Sequence, residues 1–216
     1  MPAHTTDALI LRTYKLGESD RIVVFLTRDR GKKRGVAKNA RQSRRRFGGA
    51  LEPLTLGRVG YVERERRDLV HLQYVEPLRS PMAVVAPADD VALGYVGYFA
   101  ELIDEWAQES DPNETLFRLG ASMVDALAAG IAVEPLARYF EYWLLRLQGV
   151  YQADARLSSA ARDFLEAARG LSPFAIGDVA VTPHTLRELE QAHRTLIGMH
   201  LEKDLKSVRV LRELRR

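Results

Sequence analysis

The sequence predicts an α+β chain: a small five-stranded barrel over residues 1–80, then an all-α domain over residues 81–216. Three observations predict it. Short β-branched and apolar runs, separated by turn residues, fill the first eighty positions. After Pro77 and Pro81, alanine, leucine and aromatic residues recur at helical spacing. Charge divides at the same place: residues 1–80 carry 18 Lys/Arg against 9 Asp/Glu, and the remainder 14 against 20.

The strands are expected at Asp7–Thr13, Arg21–Thr27, Lys33–Ala37, Leu54–Glu63 and Asp68–Val75. Lys15–Asp20, with Gly17, reads as the first turn, and Glu65-Arg66-Arg67 as the last. In the fourth strand Leu54, Leu56, Arg58, Gly60 and Val62 fall on one side of the pleat, and Thr55, Gly57, Val59 and Tyr61 on the other. Gly57 and Gly60 mark bulges or a sharp bend, as barrel corners need. Five short strands closing on themselves predict a barrel of the oligonucleotide-binding type.

The first helix is expected over Asp89–Gln108. The second starts at Asp111-Pro112-Asn113-Glu114, with Asp111 as cap, Pro112 in the first turn and Glu114 reaching back, and stops at Gly130. Glu134–Gln148 carries the apolar stripe Leu136, Tyr139, Phe140, Trp143, Leu144 and Leu147. Ser158 or Ser159 caps a helix ending at Gly170, and Pro173–Val181 reads as irregular. Thr182-Pro183 opens a helix through His200, and Lys203–Arg216 a last, basic one. Together they predict a helical bundle with its own core.

The stretch Arg28–Gly49 is the most informative. It holds ten basic residues, Arg28, Arg30, Lys32, Lys33, Arg34, Lys38, Arg41, Arg44, Arg45 and Arg46, against Asp29 alone. Like charges so dense repel, and a polyanion relieves that repulsion while releasing counterions. The alternative is a solvated loop. Lys32, Lys33, Arg34, Lys38, Arg41, Arg44, Arg45 and Arg46 are the expected phosphate contacts. Tyr14, beside the first turn, is the better stacking candidate, and Phe47 reads as core.

Other function classes find little support. With no cysteine there is no disulfide framework or thiolate metal site. His193 and His200 share a helical face, but H-E-x-x-H is missing, so no metal is expected. Asp89-Asp90 and Asp104-Glu105 read as a helix start and a solvated face. Neither a nucleophile elbow nor a phosphate loop occurs, and no active site or cofactor is expected. The N-terminus lacks signal-peptide character, and no run approaches the ~20 apolar residues a bilayer demands. A soluble, cytoplasmic, non-enzymatic protein is therefore expected.

Leu9–Arg12 with Tyr14–Arg21, Gly35-Val36-Ala37-Lys38, Arg46–Gly49 and Leu51-Glu52-Pro53 closely resemble the start of the bacterial RecO family. Tyr142–Leu145 and Leu205-Lys206-Ser207 are similar to its later landmarks. The resemblance implies a recombination mediator that binds single- and double-stranded DNA and anneals complementary strands. It also implies assembly with RecR, engagement of the acidic tail of single-strand binding protein, an indirect role in loading RecA, and association with the nucleoid during repair. For the acidic tail the candidates are Arg138, Arg146, Lys203, Lys206 and Arg209. Many members of that family carry a four-cysteine zinc module after the helix matching Glu134–Gln148; Gly149–Pro173 has no cysteine and is short, so zinc is not carried over.

Two other readings fit the same residues. The barrel and its charge suit RNA. Alternatively, a non-catalytic adaptor would use the acidic segment between Pro81 and Leu147, whose 11 acids face only Arg118, Arg138 and Arg146. That segment could equally fold back over the cationic stretch and restrain it.

Overall fold

A computed structural model describes residues 2–63, 68–87 and 90–216. The strands are β1 (Ala3–Leu16), β2 (Asp20–Thr27), β3 (Lys32–Ala37), β4 (Leu56–Val62) and β5 (Val70–Arg79). They close into a barrel in the order β1-β2-β3-β5-β4, antiparallel except where β3 meets β5. This is the predicted architecture. The expected turn at Glu65-Arg66-Arg67 and the residue Asp89 lie outside the described residues.

β1, at 14 residues, is twice as long as the expected strand Asp7–Thr13. Its first half pairs with β4 (Ala3↔Val62 to Leu9↔Leu56) and its second half with β2 (Ala8↔Thr27 to Leu16↔Asp20). His4, Thr5 and Thr6 are polar, so alternation could not reveal that extension. The register shifts of β4 against β5 fall beside Gly57 and Gly60, the two glycines expected to bend the strand. A Cβ on Gly60 would lie 2.1 Å from the Tyr74 ring.

Between β3 and β4 lies a one-turn helix, α1 (Arg44–Phe47), which periodicity is too short to reveal. Its one buried residue, Phe47, joins Ile10, Val23, Phe25, Ala37, Val59, Tyr61 and Leu72 inside the barrel. A second short helix, α2 (Met82–Val85), follows the barrel.

The helical part comprises α3 (Asp90–Trp106), α4 (Glu114–Ala128), α5 (Val133–Leu147), α6 (Ser159–Gly170), α7 (Pro183–Leu201) and α8 (Lys206–Leu214). A 3-10 turn, Ala175–Asp178, occupies part of the stretch expected to be irregular. Ser158 and Thr182 cap α6 and α7 as their sequences require. For α4 the cap is Asn113 rather than Asp111: its side chain accepts from Leu116 N at 2.9 Å. α8 starts at Lys206 because Glu202, at φ 53°, ends α7 in the left-handed region. Among the described residues no helix is long and apolar enough to cross a membrane.

The helices do not build a separate core. Leu9, Leu11, Val24, Leu26, Leu54 and Leu56 point out of the barrel and join one apolar cluster with Phe99, Ile103, Leu116, Met123 and Phe140. The opposite faces of β1 and β2 (Ala8, Ile10, Val23, Phe25) fill the barrel. Both faces of these strands are buried, which explains why ALIL and IVVFL are continuous apolar runs rather than alternating ones.

A polar cluster sits within the bundle. Arg138, 2% exposed, forms an ion pair with Glu141 Oε1 at 3.1 Å, and the same carboxylate accepts from Tyr98 Oη at 2.7 Å. His193 Nδ1 lies 3.0 Å from Glu141 Oε2. Burial pushes the Glu141 carboxyl up, but Arg138, His193 and Tyr98 outweigh it and hold the group below its ordinary value. A carboxylate only accepts, so the His193 proton sits on Nδ1. Replacing Arg138 with methionine takes the cation from that buried carboxylate and leaves it to Tyr98 and His193 alone. The expected loss is about 3–5 kcal/mol in urea unfolding. Because the Glu141 pKa is depressed by folding, its contribution is full above the ordinary glutamate range and fades as pH falls through and below it. The pH dependence in that range should flatten in the Arg138→Met protein.

Candidate nucleic-acid interface

The ten-cation stretch divides into two parts. In the first, carboxylates hold the charges. Arg28 meets Glu114 at 3.6 Å and Arg30 meets Asp29 at 3.7 Å. Lys32 Nζ donates to Asp104 Oδ1 at 3.1 Å and to its carbonyl at 2.6 Å. Lys33 Nζ donates to Glu63 at 2.8 Å, a contact that lowers the glutamate's pKa. Lys32 and Lys33 are 15% and 13% exposed at their side chains. Asp104 is thus no solvated face residue, as expected from its sequence, but an anchor between barrel and bundle.

In the second part the charges are free of carboxylates. Arg34, Lys38, Arg41, Arg44 and Arg45 are exposed, and among the described residues none makes an ion pair. Arg46 is different in kind. Its guanidinium donates to Ser43 Oγ (2.9 Å) and to the Lys38 carbonyl (2.8 Å), and lies 5.0 Å from the Phe47 ring centroid. It braces the loop that presents its neighbours.

The first turn anchors this loop. Asp20 Oδ1 accepts from Asn39 N at 2.8 Å, Ser19 O accepts from Arg41 N at 3.2 Å, and the Arg41 guanidinium donates to Glu18 O at 3.1 Å. Asn39 sits at φ 53°, a conformation asparagine tolerates. The polar turn and the cationic loop are therefore one assembly, built where β1, β2 and β3 end together.

Cross-strand partners share a face of the sheet. Arg12, Val24 and Arg34 form one row of β1-β2-β3, and Tyr14, Ile22 and Val36 the next. Arg12 in the first row lies against α3, and Arg34 at the far end of that row is exposed; the second row reaches solvent, with Tyr14 42% and neighbouring Leu16 38% exposed. Phe47 is 3% exposed and Tyr61 fully buried, so neither stacks on a ligand. Beside these rows a cleft of about 820 Å³ separates barrel from helices, lined by Arg12, Tyr14, Lys15, Arg21, Arg41 and Lys206 among others. Sequence reasoning missed Arg12, Lys15 and Arg21, which stand singly in or beside apolar strands.

The residues expected to hold an acidic tail are scattered. Arg138 is buried on Glu141 and does not reach solvent. Lys203 pairs with Glu105. Lys206 faces the cleft just described, and Arg209 lies near Arg194 and Arg212 around a small hollow. Arg146 is exposed and lies over Tyr142 and Trp143, at 5.5 and 5.8 Å from their centroids. A second groove, about 610 Å³, runs between the barrel edge and α4–α5. Phe117, Trp143 and Leu147 line it, with Arg28, Arg79 and Arg118 at its rim. Arg79 is held by Asp125 at 2.7 Å; Arg118 is exposed and, among the described residues, has no ion pair. Among those residues no group of three or more His, Asp or Glu is placed to hold a metal.

A closed five-stranded barrel of the oligonucleotide-binding type, packed on helices and carrying free cations, defines the class of fold, and the comparisons supply the family. Residues 1–81 match the family Recombination protein O N terminal, and residues 87–153 match Recombination protein O C terminal. DNA repair protein RecO of Koribacter versatilis is 44% identical over 144 residues, covering 67% of this chain and 58% of that protein. RecO of Anaeromyxobacter sp. strain K is 41% identical over 71% of the chain and 59% of its own length. The aligned part thus spans less than three-fifths of these relatives. RecO of Geobacter sulfurreducens is 33% identical over 96% of the chain and 97% of its own length. The chain belongs to the RecO family of DNA repair proteins. The Geobacter alignment runs to 242 residues, longer than this chain, so the relative carries residues that this chain lacks.

One acid organises the border between the two halves. Glu101 on α3 accepts from Lys206 N at 3.1 Å and Ser207 N at 2.7 Å, capping α8 from outside the helix, and lies 3.7 Å from Arg12. Burial raises its pKa, but the two donated hydrogen bonds and Arg12 bring it below the ordinary value. Glu101→Ala should free the first turn of α8. Hydrogen exchange at the Lys206 and Ser207 amides should then accelerate about five- to thirty-fold, a change of one or two kcal/mol.

Proposed function

We propose that this protein is a recombination mediator that binds single- and double-stranded DNA without reading sequence, anneals complementary strands, and works with RecR to load RecA onto strands coated by single-strand binding protein. The observation that carries the reading is the free half of the cationic stretch: Lys38, Arg41, Arg44 and Arg45 project from a braced loop at the end of three strands, with no carboxylate partner among the described residues. Such charges exchange counterions for phosphates, a contact that lowers repulsion between two strands and carries no sequence information. Arg34 extends the patch on the sheet. Lys32 and Lys33 support it from their ion pairs, and Arg46 shapes it.

Replacing Arg44 and Arg45 with alanine removes two exposed charges and leaves the Arg46 brace. Affinity for a strand and for a duplex should fall together, roughly tenfold at 0.1 M salt, whatever the sequence. The slope of log K against log salt should shrink by about 1.4 for the strand and about 1.8 for the duplex. Annealing of complementary oligonucleotides should slow in parallel. Unchanged affinity in a titration would remove the assignment.

The acidic tail of single-strand binding protein is best served by the groove between the barrel edge and α4–α5. An apolar floor of Phe117, Trp143 and Leu147 suits apolar end residues, and Arg118 and Arg146 suit the acids before them. Calorimetry with a peptide copying that tail should give heat that Arg118→Ala abolishes or weakens several-fold; equal binding by the two proteins would place the tail elsewhere.

A further inference from the structure

We propose that the cleft between barrel and helices is a single-strand anchor, in which one or two unpaired bases stack on Tyr14 while the flanking phosphates reach Arg21, Arg41 and Lys206. The inference rests on the DNA-binding reading above and adds the path of the strand: it leaves the barrel and crosses to the first turn of α8.

The polarity of the cleft supports this arrangement. Two carboxylates lie on its lining, Glu101, committed to the α8 amides and to Arg12, and exposed Glu52 beside Leu51, and both keep phosphates off their walls. Arg21, Arg41 and Lys206 line it without ion pairs among the described residues. Leu51 adds an apolar surface. A strand entering such a space places its charged backbone along the cations and its bases toward the aromatic and apolar side. Duplex DNA keeps its base faces stacked on one another and gains nothing from Tyr14. The volume, about 820 Å³, is that of a site for one small ligand rather than a channel. Bases on either side of the anchored ones therefore stay free to pair.

Tyr14 is held ready by the other half of the molecule. Arg12 donates to Tyr14 Oη at 3.3 Å, and is itself fixed by Asp104 at 3.4 Å and Glu101 at 3.7 Å, both on α3. Arg12 is thus a positioning residue, carrying the geometry of the helices to the barrel's exposed aromatic. It was not expected from sequence, because an arginine inside an apolar strand looks like an interruption.

Fluorescence anisotropy with a labelled oligothymidine strand, and with a duplex of equal length, tests the proposal on the full chain. Tyr14→Ala should weaken strand binding about tenfold, while duplex binding changes less than roughly twofold. Tyr14→Phe keeps the ring and should stay within about threefold of wild type. Lys206→Ala, on the surface of α8, should lower the salt slope for the strand by about 0.7. A Tyr14→Ala protein that binds the strand as wild type does, or that loses strand and duplex equally, overturns the anchor. So does an unchanged slope for Lys206→Ala. If wild type itself binds neither ligand, the DNA-binding reading fails rather than the anchor alone.

Discussion

The structure depends on β1 and β2 being buried on both faces. Inward, Ile10, Val23 and Phe25 fill the barrel; outward, Leu9, Leu11, Val24 and Leu26 meet the helices. At about 25 cal/mol per Å² of apolar surface, removing either contact would leave a wide hydrophobic face in water. The barrel therefore keeps a cluster of its own inside and shares a second with the bundle outside, and the helices lie close enough to the barrel for their charges to act on it.

That closeness sorts the cations. α3 brings Asp104 to Lys32 and Arg12, and Glu101 to Arg12; α4 brings Glu114 to Arg28. Arg28 and Lys32 pair with carboxylates of the bundle and Arg30 and Lys33 with carboxylates of the barrel, whereas Arg34, Lys38, Arg41, Arg44 and Arg45 pair with none among the described residues. The acidic composition of the helical half, which by itself fits an adaptor surface, acts here as internal counter-charge. A dense cationic run thus contributes in two ways: its first part holds the two halves together, and its second stays open to an incoming polyanion.

The strands themselves and most helix boundaries were legible because they follow local rules. IVVFL needs a buried strand, Gly57 and Gly60 need a bend, and Ser158, Thr182-Pro183 and Gly130 punctuate helices. Contacts set by distant residues were not legible. Nothing near Arg138 announces that it points into the bundle toward Glu141, since an arginine on an amphipathic helix usually faces water. Asn113 displaced Asp111 as the cap of α4, a choice between two equally good capping residues. α1 is four residues long, below the length at which periodicity can register. The candidate site divides in the same way. The run of cations is plain in the sequence, but which of them are free depends on Asp104 and Glu63, which lie 72 and 30 residues from their lysines. Arg12, Lys15 and Arg21 required the fold itself.

The most direct test of this account is the salt dependence of single-strand affinity for the unaltered chain. Titrations between 50 and 200 mM salt, the range over which counterion release is customarily read, should give a slope of log K against log salt of about −3 or steeper, as four or more released counterions require. A slope near zero, or no measurable association at the lowest salt, would contradict the claim that the open cations exist to receive phosphates.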